Sequence, residues 1–197
     1  MRKIDGITAA LIGFINGVFF FFILKQMNIV SPYLILLPII FPFLALFGMF
    51  VVSEIGKKLL FIFQLAKFFL VGTLNTFVDL GVLNILMAIT RIYSGGIYPV
   101  FKGISFLVAT TNSYFWNKYW TFEKKEEKPK PQEFLKFLIV TAVGLLLDVT
   151  VASIVVNIIG PQGGVSVASW ATVGAIAGAI FAFLWNFTGA KFIVFKK

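Results

Sequence analysis

With 197 residues, 59% of them hydrophobic, and a mean hydropathy of +0.97, the chain is far more apolar than a soluble domain of its size. It contains no cysteine and no histidine, which excludes disulfides, thiol chemistry and a histidine metal site or proton relay. Its net charge of +9 lies on lysines and arginines that flank apolar runs. No soluble basic domain exists to carry nucleic acid, so lipid headgroups are the expected anionic partner. Apolar runs such as Val18–Leu24 do not alternate in polarity, which excludes a transmembrane β-barrel. The expected class is an all-α polytopic membrane protein.

In chain order, Arg2 and Lys3 precede a first apolar run, Ile7–Leu24. No small-residue cleavage site follows it, so it reads as a retained span. The second run, Tyr33–Val52, is opened by Pro32 and interrupted by Pro38 and Pro42, which predicts a kink near its start. Glu54, Lys57 and Lys58 close it. Neither run carries an ionisable residue in its interior, and the pair reads as a packing hairpin. A third span covers about Lys67–Ile89. The stretch Thr90–Lys102, with Gly95, Gly96 and Pro99 as breakers, reads as a loop. The fourth span is Gly103–Phe122, and the charged, proline-containing stretch Glu123–Glu133 is a solvated linker. The fifth span is Phe134–Ile159, followed by a turn at Gly160–Gly164. The sixth is about Ser169–Phe195.

Six spans agree with the charges. Lys25, Arg91 and Lys102 fall in loops on one side, and the other fourteen of 17 basic residues fall on the other. The positive-inside rule then sets both termini in the cytoplasm of a multi-pass protein of the cytoplasmic membrane.

The chain also repeats. A shift of 69 residues carries Lys67, Phe68, Val71, Asp79 and Val82 onto Lys136, Phe137, Val140, Asp148 and Val151, and Trp116-Asn117 onto Trp185-Asn186. Lys118 and Phe122 instead match Lys191 and Phe195 at a shift of 73, about one helical turn more. The sequence does not choose between these registers. The chain thus divides into an N-terminal hairpin, residues 1–60, and a four-helix unit, residues 61–197. That unit comprises repeats 61–122 and 133–197 around the linker 123–132. Each repeat starts and ends on the cytoplasmic side, so the two are expected to be parallel, with substrate near the midplane at their interface.

Twelve residues of helix set Asp79 and Asp148 about 18 Å from Lys67 and Lys136, near the middle of a core about 30 Å thick. An ionised aspartate there costs at least about 2.5 kcal/mol, so each acid should face protein or a wet cavity. Gly72, Asn75, Thr76 and Asp79 share one helical stripe. Thr141, Gly144 and Asp148 form the second copy's less polar version. Ser105, Ala109, Asn112 and Ser113 offer a facing surface, with Trp116 and Asn117 below. Gly174, Gly178 and Ala182 read as close helix packing. The candidate substrate-binding residues are therefore Asn75, Thr76, Asp79, Asn112, Asn117 and Asp148. Lys67, Lys118, Lys136 and Lys191, at the cytoplasmic helix ends, read either as lipid anchors or as an anion site. Trp116, Tyr119 and Trp120 match an interfacial aromatic belt.

The run KFFLVGTLNTFVDLGVL, a second helix ending in NSYFWNKYWTF, a charged linker and a weaker second copy together resemble the GtrA-like membrane protein family over Phe61–Phe195. The second copy departs from the pattern. It has Thr141 and Gly144 where the first has Gly72 and Asn75, and it lacks the tryptophan of KYWTF. The resemblance implies a translocator of polyprenyl-phosphate-linked monosaccharides serving cell-surface polysaccharide synthesis or modification. The four lysines would then hold the phosphate, the buried Asp and Asn groups the sugar hydroxyls, and the aromatics the tail or sugar ring. No cofactor or metal is implied, and no nucleophile–base pair or phosphate-binding loop suggests an enzyme. Two alternatives stand beside it. Two midplane acids with no basic partner would suit a proton-coupled transporter of small cations. A scaffold that recruits a glycosyltransferase would use the hairpin and linker as docking surfaces. A homodimer would enlarge the volume four helices can enclose around a sugar.

Overall fold

A computed structural model describes residues 2–26, 31–57, 59–92, 96–124, 128–164 and 167–196. Lys58, Gly95, Lys197 and linker residues 125–127 lie outside them. The described residues form six α-helices and no strand: α1 (Lys3–Gln26), α2 (Leu37–Gly56), α3 (Leu60–Thr90), α4 (Tyr98–Trp116), α5 (Pro131–Ser153) and α6 (Val167–Gly189). Short π-helical stretches extend α4, α5 and α6. Five helical segments are long and apolar enough to cross a membrane; α4 is not among them. Contacts divide the chain within the linker into a first unit, Met1–Lys125, and a second, Glu126–Lys197.

In the first unit α1 and α2 pack as an antiparallel hairpin. Gly13 and Gly17, one turn apart, let α1 approach α2 closely. A Cβ on Gly13 would lie 2.7 Å from the Phe41 carbonyl oxygen, and one on Gly17 would lie 2.5 Å from that of Leu37. The prolines of the second run act mainly at its start. Pro32 opens a 3₁₀ turn, Pro32–Leu36, capped by the Ser31 side chain. Pro38 falls in the first turn of α2, where its missing N–H costs nothing, and only Pro42 lies inside the helix.

The hairpin docks along α3. Asn16 donates to Thr73 Oγ1 at 2.8 Å, and the Phe19 and Phe77 rings stack at 5.6 Å. Ala9, Ile12, Met49, Val71, Leu74 and Trp120 form the shared core of α1, α2, α3 and the end of α4.

The start of α4 corrects the sequence reading. Lys102 lies inside the helix rather than in a loop, because α4 begins at Tyr98. Pro99 does not break the chain. It stands in the first helical turn, where proline is favoured. Similarly α3 begins at Leu60, which puts Lys67 about two turns into the helix.

In the second unit α5 and α6 pack antiparallel through glycines. Gly144 lies against the Asn186 amide, Gly178 against Asp148, and Gly189 against Val140, where an added Cβ would meet the Val140 side chain at 2.5 Å. Gly174 lies against Val156. The packing role expected for Gly174 and Gly178 is the one they play.

The pairs α3–α4 and α5–α6 share several local features at their helix ends. Helix α3 and the π stretch after α5 each end on a residue with positive φ, Arg91 at 58° and Gly160 at 68°, 69 residues apart. The second helices end in π turns, Asn117–Thr121 and Ala190–Val194, at the 73-residue shift. Phe122 N–H donates to Asn117 and Phe195 N–H to Ala190, each at 2.8 Å. The ring pairs Phe68–Phe122 and Phe137–Phe195 are 6.3 and 5.9 Å apart. These features thus recur at the 69-residue shift at one helix end and at the 73-residue shift at the other. Helix α6 has 23 residues against 19 in α4, so the four extra residues form one more helical turn. At the 73-residue shift Asn117 matches Ala190 rather than Asn186.

Leu at position 17 would force α1 from α2. Gly17→Leu is expected to destabilise the protein by about 1–3 kcal/mol, the usual range for overpacking. Gly48→Ala, with nothing within 4 Å of the added atom, should cost nothing and can gain up to about 1 kcal/mol from helix propensity. Thermal unfolding in detergent compares the two.

Candidate functional site

Two charged clusters lie on α3, separated by about 18 Å of helix. The first is centred on Asp79. Lys102 and Ser105 are three residues apart on α4 and so share a face. Lys102 Nζ pairs with Asp79 Oδ2, and the Ser105 hydroxyl lies 2.6 Å from Asp79 Oδ1. That hydroxyl is also 3.0 Å from the Lys102 carbonyl, but it has one proton, and the anionic carboxylate is the stronger acceptor. Asp79 is 21% exposed at the side chain and Lys102 45%. The expectation of two midplane acids without a basic partner thus fails for Asp79. Lys102, counted from sequence as a loop charge, is its counter-ion.

Asn75 and Thr76 lie toward Lys67 on the same stripe. Thr76 donates to the Gly72 carbonyl at 3.2 Å and is exposed. Asn75 Oδ1 is buried without a hydrogen-bond partner, as is Asn112 Nδ2 on α4. Asn75 lies one turn from Asp79 on α3, and Asn112 about two turns from Ser105 on α4. Asn117 is buried. Its Nδ2 donates to the Ser113 carbonyl at 2.9 Å, and its Oδ1 has no partner.

The second cluster surrounds Lys67, which is 1% exposed. Its Nζ lies 2.7 Å from Asp5 Oδ1, 3.1 Å from Glu123 Oε1 and 3.3 Å from the Trp120 carbonyl oxygen. The Phe63 ring covers it at 4.5 Å. Asp5 is equally buried and also accepts from Trp120 Nε1 at 3.1 Å and from Arg2. Arg2 reaches Glu123 with two nitrogens, one of them at 2.8 Å. The hydrogen bonds that Arg2 donates to Asp5 lead the effects that raise the Arg2 pKa still further, so this guanidinium stays charged. The hairpin therefore does carry a buried ionisable group. Asp5, in the first turn of α1, supplies the charge that lets Lys67 be buried.

The four lysines expected at one interface differ in setting. Lys67 is enclosed and paired. Lys118 is fully buried, with its Nζ 3.5 Å from the Tyr114 hydroxyl. Lys136 is exposed. Lys191 is partly buried between the Phe187 and Phe192 rings, at 5.8 and 5.6 Å. The aromatics divide similarly. Trp120 is in the core and meets Trp116 edge-on at 6.2 Å, while Tyr119 stacks on Phe115 at 6.2 Å. In the second unit Asp148 lies against Gly178, at the position where Ser105 meets Asp79 under the 73-residue shift. It makes no ion pair among the described residues.

A family model described as GtrA/DPMS, transmembrane domain, matches residues 67–195, well over half of the chain. The chain belongs to this family. The match begins at Lys67, inside α3, and ends at Phe195, and the hairpin lies outside the matched residues. No significant match was found to a curated protein or a solved structure. Arg2, Asp5, Glu123 and Lys102 are the site residues that sequence reasoning missed. The available signal was an acid three residues after an arginine at the start of an apolar run, a spacing suited to two neighbouring helical side chains.

Lys67→Met leaves Asp5 buried without one of its cations. A cost of about 3 kcal/mol is expected, the low end for a broken buried pair, because Arg2 and Trp120 still hold Asp5. Asp5→Asn with Lys67→Met should recover more than half of that loss in thermal unfolding. A double variant as unstable as the sum of the singles would show that the pair is not coupled.

Proposed function

We propose that the protein moves a polyprenyl-phosphate-linked monosaccharide across the cytoplasmic membrane, for synthesis or modification of cell-surface polysaccharide. Membership of the GtrA/DPMS family over residues 67–195 carries this reading, and the chemistry of the first unit supports it. In this reading α4 also crosses the membrane, as the fourth of six spans, with both termini cytoplasmic. Lys102 and its neighbouring polar groups make it the least apolar helix. Pairing with Asp79 removes the uncompensated charge that would otherwise oppose insertion. The two helical pairs of the family domain are then repeats.

A sugar offers neutral hydroxyls that both donate and accept. Asn75 Oδ1, Asn112 Nδ2, Thr76 and the Asp79–Ser105 pair present acceptors and donors of that kind. Asn117 adds another acceptor. Asp148, set against Gly178, gives the second unit a barer version, with Lys136 and Lys191 as its cations toward the phosphate. Such a protein positions and moves its substrate and catalyses no bond change. The cation-transporter reading loses support, because one of its two acids already has a lysine.

Translocation of a lipid-linked sugar by the purified protein in proteoliposomes tests the proposal. Asp79→Asn is expected to slow it at least about tenfold, equivalent to about 1.4 kcal/mol of barrier. Asp79→Lys with Lys102→Asp should keep the fold while leaving transport slow, since Ser105 then meets a cation. Unchanged rates for both Asp79→Asn and Lys118→Ala would sink the site assignment.

A further inference from the structure

The Lys67 cluster contains two acids in different situations. Asp5 is buried and held by three donors, those of Arg2, Lys67 and Trp120. Glu123 is 41% exposed at the side chain and, among the described residues, its carboxylate pairs with two cations, Arg2 and Lys67. Its backbone has φ of 58°, the left-handed region that disfavours a residue with a Cβ. One acid is thus built in, and the other is laid on from the edge.

We propose that Arg2 and Lys67 form a binding site for a monoanionic phosphodiester headgroup, occupied in this structure by the chain's own Glu123 carboxylate. Three features carry this. The first is shape. The Arg2 fork meets both Glu123 oxygens, and the same fork fits two oxygens of a phosphate. The second is charge. Arg2 and Lys67 against Asp5 leave one positive charge in excess, which Glu123 neutralises. A phosphodiester carries the same single charge, whereas inorganic phosphate near neutrality carries more. Lys57 does not alter this balance, because Glu54 holds it at 2.6 Å. The third is space. A cavity of about 290 Å³ opens beside Glu123, lined by Arg2, Asp5 and Lys57 on one hand and Leu60 and Phe63 on the other. Charged and apolar walls together suit the junction between a headgroup and a chain. The exposed side chains of Leu59, Leu60 and Phe61 continue the apolar wall outward.

The site lies where α1 starts, α2 ends, α3 starts and the π turn after α4 ends, so it is at the end of the helices, at headgroup depth. Exchange of Glu123 for a diester would swap one monoanion for another without leaving Lys67 unpaired. It would also free the start of the linker. The identity of the diester as a lipid-linked sugar rests on the function proposed above. An ordinary anionic phospholipid has the same phosphodiester chemistry.

Binding to the full-length protein in detergent separates these sources, with three probes: a short-chain isoprenyl phosphoglucose, short-chain phosphatidylglycerol and inorganic phosphate. Glu123→Gln removes the resident competitor and is expected to tighten isoprenyl phosphoglucose about tenfold. Arg2→Gln should weaken it about tenfold, in the native background and with Glu123→Gln alike. Inorganic phosphate should gain much less. Equal gains for phosphatidylglycerol would uphold the phosphodiester site and withdraw its support for a sugar-lipid substrate. An unchanged or weakened affinity in Glu123→Gln overturns the proposal, as does an equal gain for inorganic phosphate. If Glu123→Gln does not fold, Arg2→Gln decides alone: no loss of diester binding overturns the site. Failure here leaves the Asp79 transport assay standing, and failure there leaves this binding result standing.

Discussion

An ionised side chain inside an apolar helix bundle must bring its counter-charge with it, and the first unit is arranged around that requirement. Helix α3 carries a cation and an acid that share the problem, Lys67 and Asp79. Each is answered from a different element. Asp5 comes from α1 and Glu123 from beyond α4 to meet Lys67; Lys102 comes from α4 to meet Asp79. These pairs fix more than charge. Asp5 ties the start of the hairpin to α3, and the Asn16–Thr73 bond and Phe19–Phe77 stack continue the same docking line. Lys102 with Ser105 sets the register of α4 on α3 at a second level. The apolar core of Ile12, Met49, Val71 and Trp120 fills in between. Burial there supplies most of the contact, but it is non-directional, and the charged pairs are what distinguish one register from another.

The second unit holds its own acid, Asp148, without an ion pair among the described residues. Its helix ends and ring pairs follow the first unit, yet glycine stands opposite Asp148 where serine stands opposite Asp79. Gly144, Gly178 and Gly189 draw α5 and α6 together by backbone approach, the packing available to helices in lipid. Side-chain indoles reach across instead of ions. Trp185 donates to the Val140 carbonyl at 3.0 Å and Trp170 to that of Val155 at 2.9 Å. Close contact and indole bonds thus replace charge pairing as the source of register. The unit keeps its acid, but with less built around it.

How much of this was legible in the sequence depends on the range of the interaction. Helices came through because apolar runs are local and long, and the lysine–aspartate spacing survived because it lies within one helix. The start of α4 did not, because proline signals both a loop and a first helical turn, and only packing separates the two meanings at Pro99. Lys102 was misassigned for a related reason. Counting basic residues by side treats every lysine as solvated, whereas this one has a carboxylate partner. The stripe holding Asn75 and Asp79 and the facing Ser105 were legible by helical period. The partner of Lys67 was not, since nothing in the local sequence of Asp5 points to a residue in another helix. The choice between the 69- and 73-residue shifts was hidden because one helical turn returns nearly the same face.

The location of Asp5 bears on why a hairpin accompanies a family domain that begins at Lys67. Within α3 to α6, Lys67 would be a buried ammonium facing one exposed carboxylate, Glu123, and a carbonyl. That is a weak set of partners for a fully enclosed charge, which needs both neutralisation and hydrogen bonds. The hairpin supplies the missing acid from Asp5, and it adds Arg2, which keeps the cluster cationic once Glu123 is set aside. A packing hairpin would need only complementary apolar surface. This one alters the electrostatics of the first residue of the family domain. Its charged end and its glycine-packed body therefore answer different demands. Gly13 and Gly17 let α1 lie close on α2, while at its charged end Asp5 meets both Arg2 and Lys67.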